Sequence, residues 1–270
     1  MDLWQAFVLG LVEGITEYLP VSSTGHLLIT ERLLGMAQDQ ASNGYAIAIQ
    51  GGAILAVLGL YRARVGSMLE GIVGRDADGR RLLINLVAAF VPTAVLGKLF
   101  NDRIEEHLFG AKPVIAAWIV GGILILALTR WTERRHQGKD LSRLTWKAAA
   151  IIGLAQSLAM WPGTSRSLVT ILAGLALGLS MAAAVEFSFL LGVITLTAAA
   201  GYTVLKDGPE MLAAYGWPAL ATGFIAAWIF AALAVKWMVA WLNRHGLGVF
   251  AWWRFAAAGL ATWWLLFRPA

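Results

Sequence analysis

The stretch EGITEYLPVSSTGH, residues 13–26, places charged and polar groups between two apolar runs. Glu13 and Glu17 are one helical turn apart, so their carboxylates lie on the same helix face and repel each other. A single ionised carboxylate at bilayer depth already costs roughly 2.5–3.5 kcal/mol. A metal ion, a cationic side chain or a water-filled cavity would offset this cost. We therefore interpret the stretch as half of a functional site.

The composition places that site in a membrane. The chain has 270 residues, of which 59% are apolar and 14% are charged, whereas a soluble domain carries about 25% charged residues. The pattern predicts an all-α polytopic membrane protein. The absence of cysteine excludes a disulfide framework and a thiolate metal site. The basic residues that give the net charge of +5 lie in short loops between apolar segments. This is the positive-inside pattern of a membrane protein and not a nucleic-acid-binding surface.

Charge asymmetry between the loops predicts the topology. Loops at residues 62–81 and 130–147 and near 243–246 are basic, whereas those at 102–112 and 206–210 are acidic. Basic loops remain in the cytoplasm, so we expect both termini outside. A span needs about 20 apolar residues, and six transmembrane helices are predicted, at about 45–61, 82–100, 113–130, 183–204, 217–236 and 248–267.

Alternation of these spans requires residues 1–43 and 131–182 each to enter the membrane and return to the same side. We expect two re-entrant helical hairpins, with half-helices at about 3–18 and 24–35, and at about 146–160 and 166–178. Gly10-Leu11-Val12-Glu13 aligns with Gly153-Leu154-Ala155-Gln156. This predicts an inverted-topology repeat with halves at about 1–100 and 113–236 and a final span at 248–267, in one domain of residues 1–270. Such broken helices converge near the midplane, where ion and anion sites are built.

The second hairpin tip supplies groups that bind anions. Arg166 lies among hydroxyls at a helix start, and a guanidinium fork with free N–H groups suits phosphate. With this anion site opposite Glu13 and Glu17, the pattern indicates a divalent cation that bridges the two carboxylates to phosphate oxygens. The nucleophile would come from Ser23, Ser22 or His26.

Each polar residue also has a structural interpretation. Ser22 or Ser23 could only cap the following half-helix, and His26 could be an interhelical hydrogen-bonding group. Gln50 is either glue between helices or a partner of a carboxylate. Arg254 is interpreted as an interfacial anchor.

At these residues the sequence resembles the undecaprenyl pyrophosphate phosphatase (bacitracin-resistance) family of bacterial membranes. The family's motifs stand here at Glu13 to Glu17, Pro20 to His26 and Pro162 to Thr170. Two departures are Leu168-Val169, where a small pair is expected and the pocket could narrow, and Ile194, where a proline would bend the span.

The resemblance implies an undecaprenyl-diphosphate phosphatase of the plasma (inner) membrane that uses Mg²⁺ or Ca²⁺ and recycles the lipid carrier for peptidoglycan synthesis. It implies Glu13 and Glu17 as metal ligands and Glu17, Ser23, His26 and Arg166 as catalytic residues. The substrate-binding set would be Arg166, Ser165, Ser167, Thr170, Ser22, Thr24 and Gln50.

We expect the site to open toward the periplasm or exterior. The expected partners are a polyprenyl diphosphate and the bilayer, without nucleic acid, and a homodimer is left open. The alternative function is a transporter or flippase of the phosphorylated polyprenyl carrier, because broken helices in inverted repeats are the usual architecture of secondary transporters.

Overall fold

The computed structural model describes residues 1–108, 110–132 and 138–267, and within them the chain is helical without a strand. A single isolated bridge joins Lys139 and Leu179. Short 3₁₀ turns lie at Leu141–Arg143 and Ser157–Met160. The ten helices of these residues are α1 Leu3–Thr16, α2 Ser23–Leu33, α3 Gln40–Leu60, α4 Arg62–Ile72, α5 Ala77–Leu108, α6 Ala111–Thr132, α7 Trp146–Gln156, α8 Arg166–Ala176, α9 Met181–His245 and α10 Gly248–Phe267.

Four of these helices are long and apolar enough to cross a membrane: α3, α5, α6 and α9. The 65-residue α9 covers two predicted spans, and Gly216 divides it because its φ of 74° and ψ of 163° are not helical. Helix α10 has the bounds of the last predicted span but is not among the four, since it carries four tryptophans and Arg254. The protein is therefore a helical, multi-pass membrane protein.

The predicted half-helices are present as the short pairs α1–α2 and α7–α8. One basic loop was expected across residues 62–81, and this was wrong because α4 occupies residues 62–72. Asp76 then begins α5 by accepting hydrogen bonds from the Gly79 N–H (2.8 Å) and the Ser67 hydroxyl (2.6 Å). These hydrogen bonds hold the pKa of the Asp76 carboxyl below its usual value.

The first helix of each pair lies against a long helix at a glycine. A methyl group at Gly10 would overlap the carbonyl oxygen of Gly223 in α9, and one at Gly153 would overlap that of Ala89 in α5. These two glycines are the ones that align in the sequence. A close backbone approach explains why both positions need glycine.

The second helix of each pair begins after a serine in an unusual conformation. Ser22 (φ 74°) and Ser165 (φ 76°) precede α2 and α8, and they are the only described non-glycine residues with positive φ. Such backbone costs of the order of 1–3 kcal/mol per residue and persists where packing enforces it, frequently at functional sites. The two tips thus share one backbone geometry.

Candidate active site

The two tips meet inside the protein. Ser167, at the start of α8, donates its hydroxyl to the carbonyl oxygen of Leu19 in the first tip, 2.9 Å away. Both tips are buried, and a cavity of about 200 Å³ lies between them. It is lined by Glu17, Ser22, Ser23, Thr24, Gln50, Thr93, Gln156, Ala159, Met160, Pro162, Gly163, Ser165, Arg166, Thr195 and Leu196.

Glu17 is the centre of the polar network. Its Oε2 accepts the Ser23 hydroxyl at 2.5 Å, and its Oε1 accepts an Arg166 Nη2–H at 3.3 Å. Arg166 also donates Nη1–H to the carbonyl oxygen of Ser188 (2.9 Å) and lies 5.3 Å from the centre of the Tyr18 ring. A carboxylate thus connects a hydroxyl from one tip to a guanidinium from the other.

The Arg166 guanidinium still has capacity to bind an anion. Its Nε is buried without a hydrogen-bond partner, and its bond to Glu17 is long for a charged pair. Gly192 of α9 provides the space, since a methyl group there would overlap the guanidinium. Phosphate oxygens entering the cavity would find unused donors on this side chain.

Glu13 is fully buried one turn before Glu17, and neither of its carboxylate oxygens has a hydrogen-bond partner. Among the described residues, Arg166 is the arginine that forms an ion pair with these two carboxylates, and it does so through Glu17. An unpartnered buried carboxylate requires a proton or a cation. The pair fits a hard divalent cation in its donor chemistry, although the described residues contain no cluster of three or more histidine, cysteine or acidic groups. Further ligands would have to be hydroxyl, amide or phosphate oxygens.

Gln156 occupies the position in the second hairpin that aligns with Glu13. Its amide donates to Thr93 (3.0 Å) and Thr195 (3.3 Å), and its Oε1 is buried without a partner. All three residues line the cavity, and the sequence-based site did not include them. The sequence signal for Gln156 was its alignment with Glu13, whereas threonines within apolar spans gave none.

The hydroxyls of the second tip divide into two roles. Ser165 lines the cavity and caps α8, accepting the Leu168 N–H at 3.2 Å. Ser167 and Thr170 were expected to line the site but lie behind its wall, because their hydroxyls bond within the protein. Thr170 Oγ1 lies 2.7 Å from the Ser188 hydroxyl. They support the tip that carries Arg166.

The first tip differs, since no side chain caps α2. Ser22 occupies the N-cap position, as one interpretation expected, but its side chain makes no capping hydrogen bond. The N–H groups at the start of α2 therefore remain available. A helix N-terminus with free N–H groups favours a bound anion.

His26 does not reach this cavity. Its Nδ1 lies 2.7 Å from the Ser22 carbonyl oxygen, and Trp253 donates its indole N–H to Nε2 at 3.0 Å. These bonds define a neutral imidazole that carries its proton on Nδ1. The ring lies between Trp118 and Trp253, in the wall of a separate apolar cavity of about 370 Å³. His26, which was expected among the catalytic residues, therefore lies outside the cavity between the tips.

None of the three departing residues, Leu168, Val169 and Ile194, lines the cavity. Leu168 and Val169 are buried in the core and do not line it. Helix α9 continues through Ile194 and is broken only at Gly216.

A cavity lined by hydroxyls, amides, a carboxylate and a guanidinium lies between paired short helices of an apolar helical protein, and these groups suit a phosphate. The chain matches the family model of the bacitracin resistance protein BacA over residues 6–260, and it belongs to that family.

Its curated relatives include Undecaprenyl-diphosphatase 1 of Chromobacterium violaceum, with 45% identity over 97% of this chain and 97% of the relative. Undecaprenyl-diphosphatase 2 of Rhodospirillum rubrum is 45% identical over 97% of this chain and 95% of the relative. Undecaprenyl-diphosphatase of Azotobacter vinelandii is 43% identical over 97% of this chain and 96% of the relative. The family resemblance is confirmed.

Proposed function

We infer that this protein hydrolyses undecaprenyl diphosphate to undecaprenyl phosphate and inorganic phosphate. Relatives that carry the name of this activity match almost the entire chain. The observation that carries the inference is the connection from Ser23 through Glu17 to Arg166 across the two tips. A hydroxyl next to a base and a cation suits phosphoryl transfer, because the base activates the hydroxyl and the cation stabilises the developing charge.

In the proposed reaction the Ser23 hydroxyl attacks the terminal phosphorus. Its proton passes to Glu17 Oε2, to which it already donates at 2.5 Å. The bond from the terminal phosphorus to the bridging oxygen breaks, and undecaprenyl phosphate leaves. Glu17 gives this proton to the oxygen of the departing undecaprenyl phosphate. Water then hydrolyses the phosphoserine and releases phosphate, with Glu17 accepting a proton from that water and returning it to the Ser23 oxygen.

Arg166 and the α2 N-terminus hold the terminal phosphate during both steps. The Arg166 Nε and the N–H groups at the start of α2 belong to opposite tips, the former without a partner and the latter without a side-chain cap. Fixed donors of this kind stabilise the developing charge without reorganisation.

We further propose that Glu13 and Glu17 hold Mg²⁺ or Ca²⁺. The support is the unpartnered buried carboxylate of Glu13 next to Glu17. When bound, the cation would neutralise charge on the diphosphate.

For the membrane arrangement we propose six spans with α1–α2 and α7–α8 as re-entrant hairpins, in the bacterial inner membrane. The termini would be outside and the cavity would open toward the periplasm. The matched glycine contacts of α1 and α7 support an inverted repeat, as do the matched φ angles of Ser22 and Ser165.

Phosphate release from C55 prenyl diphosphate by the detergent-purified chain tests the function. Transport of the phosphorylated carrier is the second candidate, since paired short helices with internal tips also suit a transporter. Release of stoichiometric phosphate supports the hydrolase. No release by folded protein, with Mg²⁺ or Ca²⁺ present, would refute hydrolysis and favour transport.

A further inference from the structure

Arg254 in α10 is completely buried, contrary to the expectation of an interfacial anchor. Its guanidinium donates to backbone carbonyl oxygens of three segments. The Nε–H bonds Pro20 at 2.8 Å and Nη2–H bonds Thr164 at 2.8 Å. Nη1–H bonds Gly163 at 3.2 Å and, at the limit of hydrogen bonding, Ala117 at 3.5 Å.

No carboxylate of the described residues forms an ion pair with Arg254. A buried charge without a counter-charge is costly, and buried charges are normally paired or bound to metal. If carbonyl groups only needed a hydrogen bond, a neutral donor would serve at lower cost. The geometry that only arginine supplies is a rigid planar fork with donors in several directions.

That fork connects the two hairpin tips. Pro20 lies three residues before Ser23, and Thr164 lies two residues before Arg166. Both carbonyl groups belong to tip segments outside the α-helices, so no helical N–H can satisfy them. One side chain thus fixes the backbone on both sides of the Glu17 network.

The surroundings of Arg254 are shaped for its guanidinium. A methyl group at Gly121 of α6 would overlap Nη1, so glycine is needed for the fork to reach Gly163. Gly163 itself has φ of 96° and packs against the Val114 carbonyl. Helix α6, helix α10 and both tips therefore converge on this guanidinium.

We propose that Arg254 is a positioning residue that sets the separation of Ser23 and Arg166 for the hydrolysis inferred above. It acts through the backbone of the tips and does not touch the reacting phosphate. The inference rests on the proposed function, because positioning is expressed as a loss of turnover. Misplacement of reacting groups by about 1 Å can cost 10²-fold in rate.

The test compares the full-length variants Arg254→Lys, Arg254→Met and Gly121→Ala with wild type. Arg254→Lys keeps the charge and loses the fork, whereas Gly121→Ala disturbs the fork without removing it. The control is Arg244→Met, the same change at an exposed arginine near the end of α9. Phosphate release from C55 prenyl diphosphate gives kcat per folded molecule and KM, with the folded fraction taken from size-exclusion and thermal unfolding.

We expect kcat per folded molecule to fall about 10- to 100-fold in both Arg254 variants and less in Gly121→Ala. KM should stay within about threefold, because Arg166 is still present. Arg244→Met should match wild type. A purely structural role would lower the folded fraction and leave kcat per folded molecule unchanged.

Wild-type-like kcat per folded molecule in Arg254→Lys, with active wild type, overturns the positioning role and leaves the proposed function intact. If Arg254→Met does not fold, the kcat of Arg254→Lys decides whether Arg254 positions the tips. If neither Arg254 variant folds, Gly121→Ala decides: an unchanged kcat overturns the positioning role, and a lowered kcat supports it. Inactive but folded wild type refutes the hydrolase and the positioning role together.

Discussion

Replacing Glu17 with glutamine removes one charge at the centre of the site while nearly preserving its shape. The amide oxygen can still accept the Ser23 hydroxyl, which Glu17 Oε2 accepts at 2.5 Å. The amide cannot take the proton of that hydroxyl, so the general-base contribution is lost. That contribution is typically about 10²- to 10⁴-fold, which equals about 2.7–5.4 kcal/mol of activation free energy. We expect kcat to fall by this factor.

The matched control is Glu186→Gln. Glu186 also accepts a hydrogen bond from an arginine at 2.5 Å, from Arg64, but that arginine side chain is 51% exposed and the pair lies outside the cavity. Exposed ion pairs contribute about 0–1 kcal/mol, so kcat should change little. Both variants are assayed by phosphate release under single-turnover conditions, with folding checked by thermal unfolding. A Glu17→Gln variant that keeps more than about a third of wild-type kcat would refute Glu17 as the base.

Four further results are expected. Arg166→Lys should raise KM by about tenfold or more, since a point charge replaces a fork; an unchanged KM in substrate titrations would show that Arg166 does not hold the phosphate. Chelation with EDTA should abolish turnover, and Mg²⁺ or Ca²⁺ should restore it, whereas full activity in EDTA would contradict a metal at Glu13 and Glu17. Gly14→Ala should lower the free energy of unfolding by about 1–3 kcal/mol, because a methyl group would overlap the Ala227 carbonyl oxygen. The control is Gly59→Ala, whose methyl group meets open space. Equal unfolding midpoints for the two variants would contradict the packing at Gly14. The Gly79 N–H and the Ser67 hydroxyl lower the Asp76 pKa, so Asp76 stabilises the fold above its unfolded pKa of about 3.9. That stabilisation is lost as the pH falls through the lower pKa of Asp76 in the folded protein. Asp76→Asn should therefore make the unfolding midpoint depend less on pH in the acid range. An unchanged dependence of the midpoint on pH would show that Asp76 plays no part.

Much of the site was predictable because polar groups within apolar runs need compensation. Glu17, Ser23 and Arg166 stood out for that reason, and the structure brings them into one network. The paired short helices followed from alternation of the loop charges. These signals depend only on local composition and on the count of membrane crossings.

Other features depend on side-chain direction, which the sequence does not determine. His26 is three residues after Ser23, yet it points to Trp118 and Trp253 and away from the cavity. Thr93 and Thr195 reach the site only because α5 and α9 pack beside Gln156. Each is a threonine in an apolar span, and such residues usually bond their own helix backbone.

The burial of Arg254 also depends on tertiary structure. An arginine beside two tryptophans near a helix start has the composition of an interfacial anchor. The carbonyl groups that bind it come from Pro20, Gly163 and Thr164, far apart in the chain. Backbone acceptors have no sequence signature, so only the tertiary structure shows that these groups converge.

Rapid-quench labelling shows whether Ser23 is the nucleophile. Wild type and Ser23→Ala are mixed with C55 prenyl diphosphate labelled in the terminal phosphate, and both protein-bound label and released phosphate are followed. We predict that label in wild-type protein precedes phosphate release and maps to Ser23, and that Ser23→Ala forms neither. Release by folded Ser23→Ala at the wild-type rate would show that Ser23 is not the nucleophile.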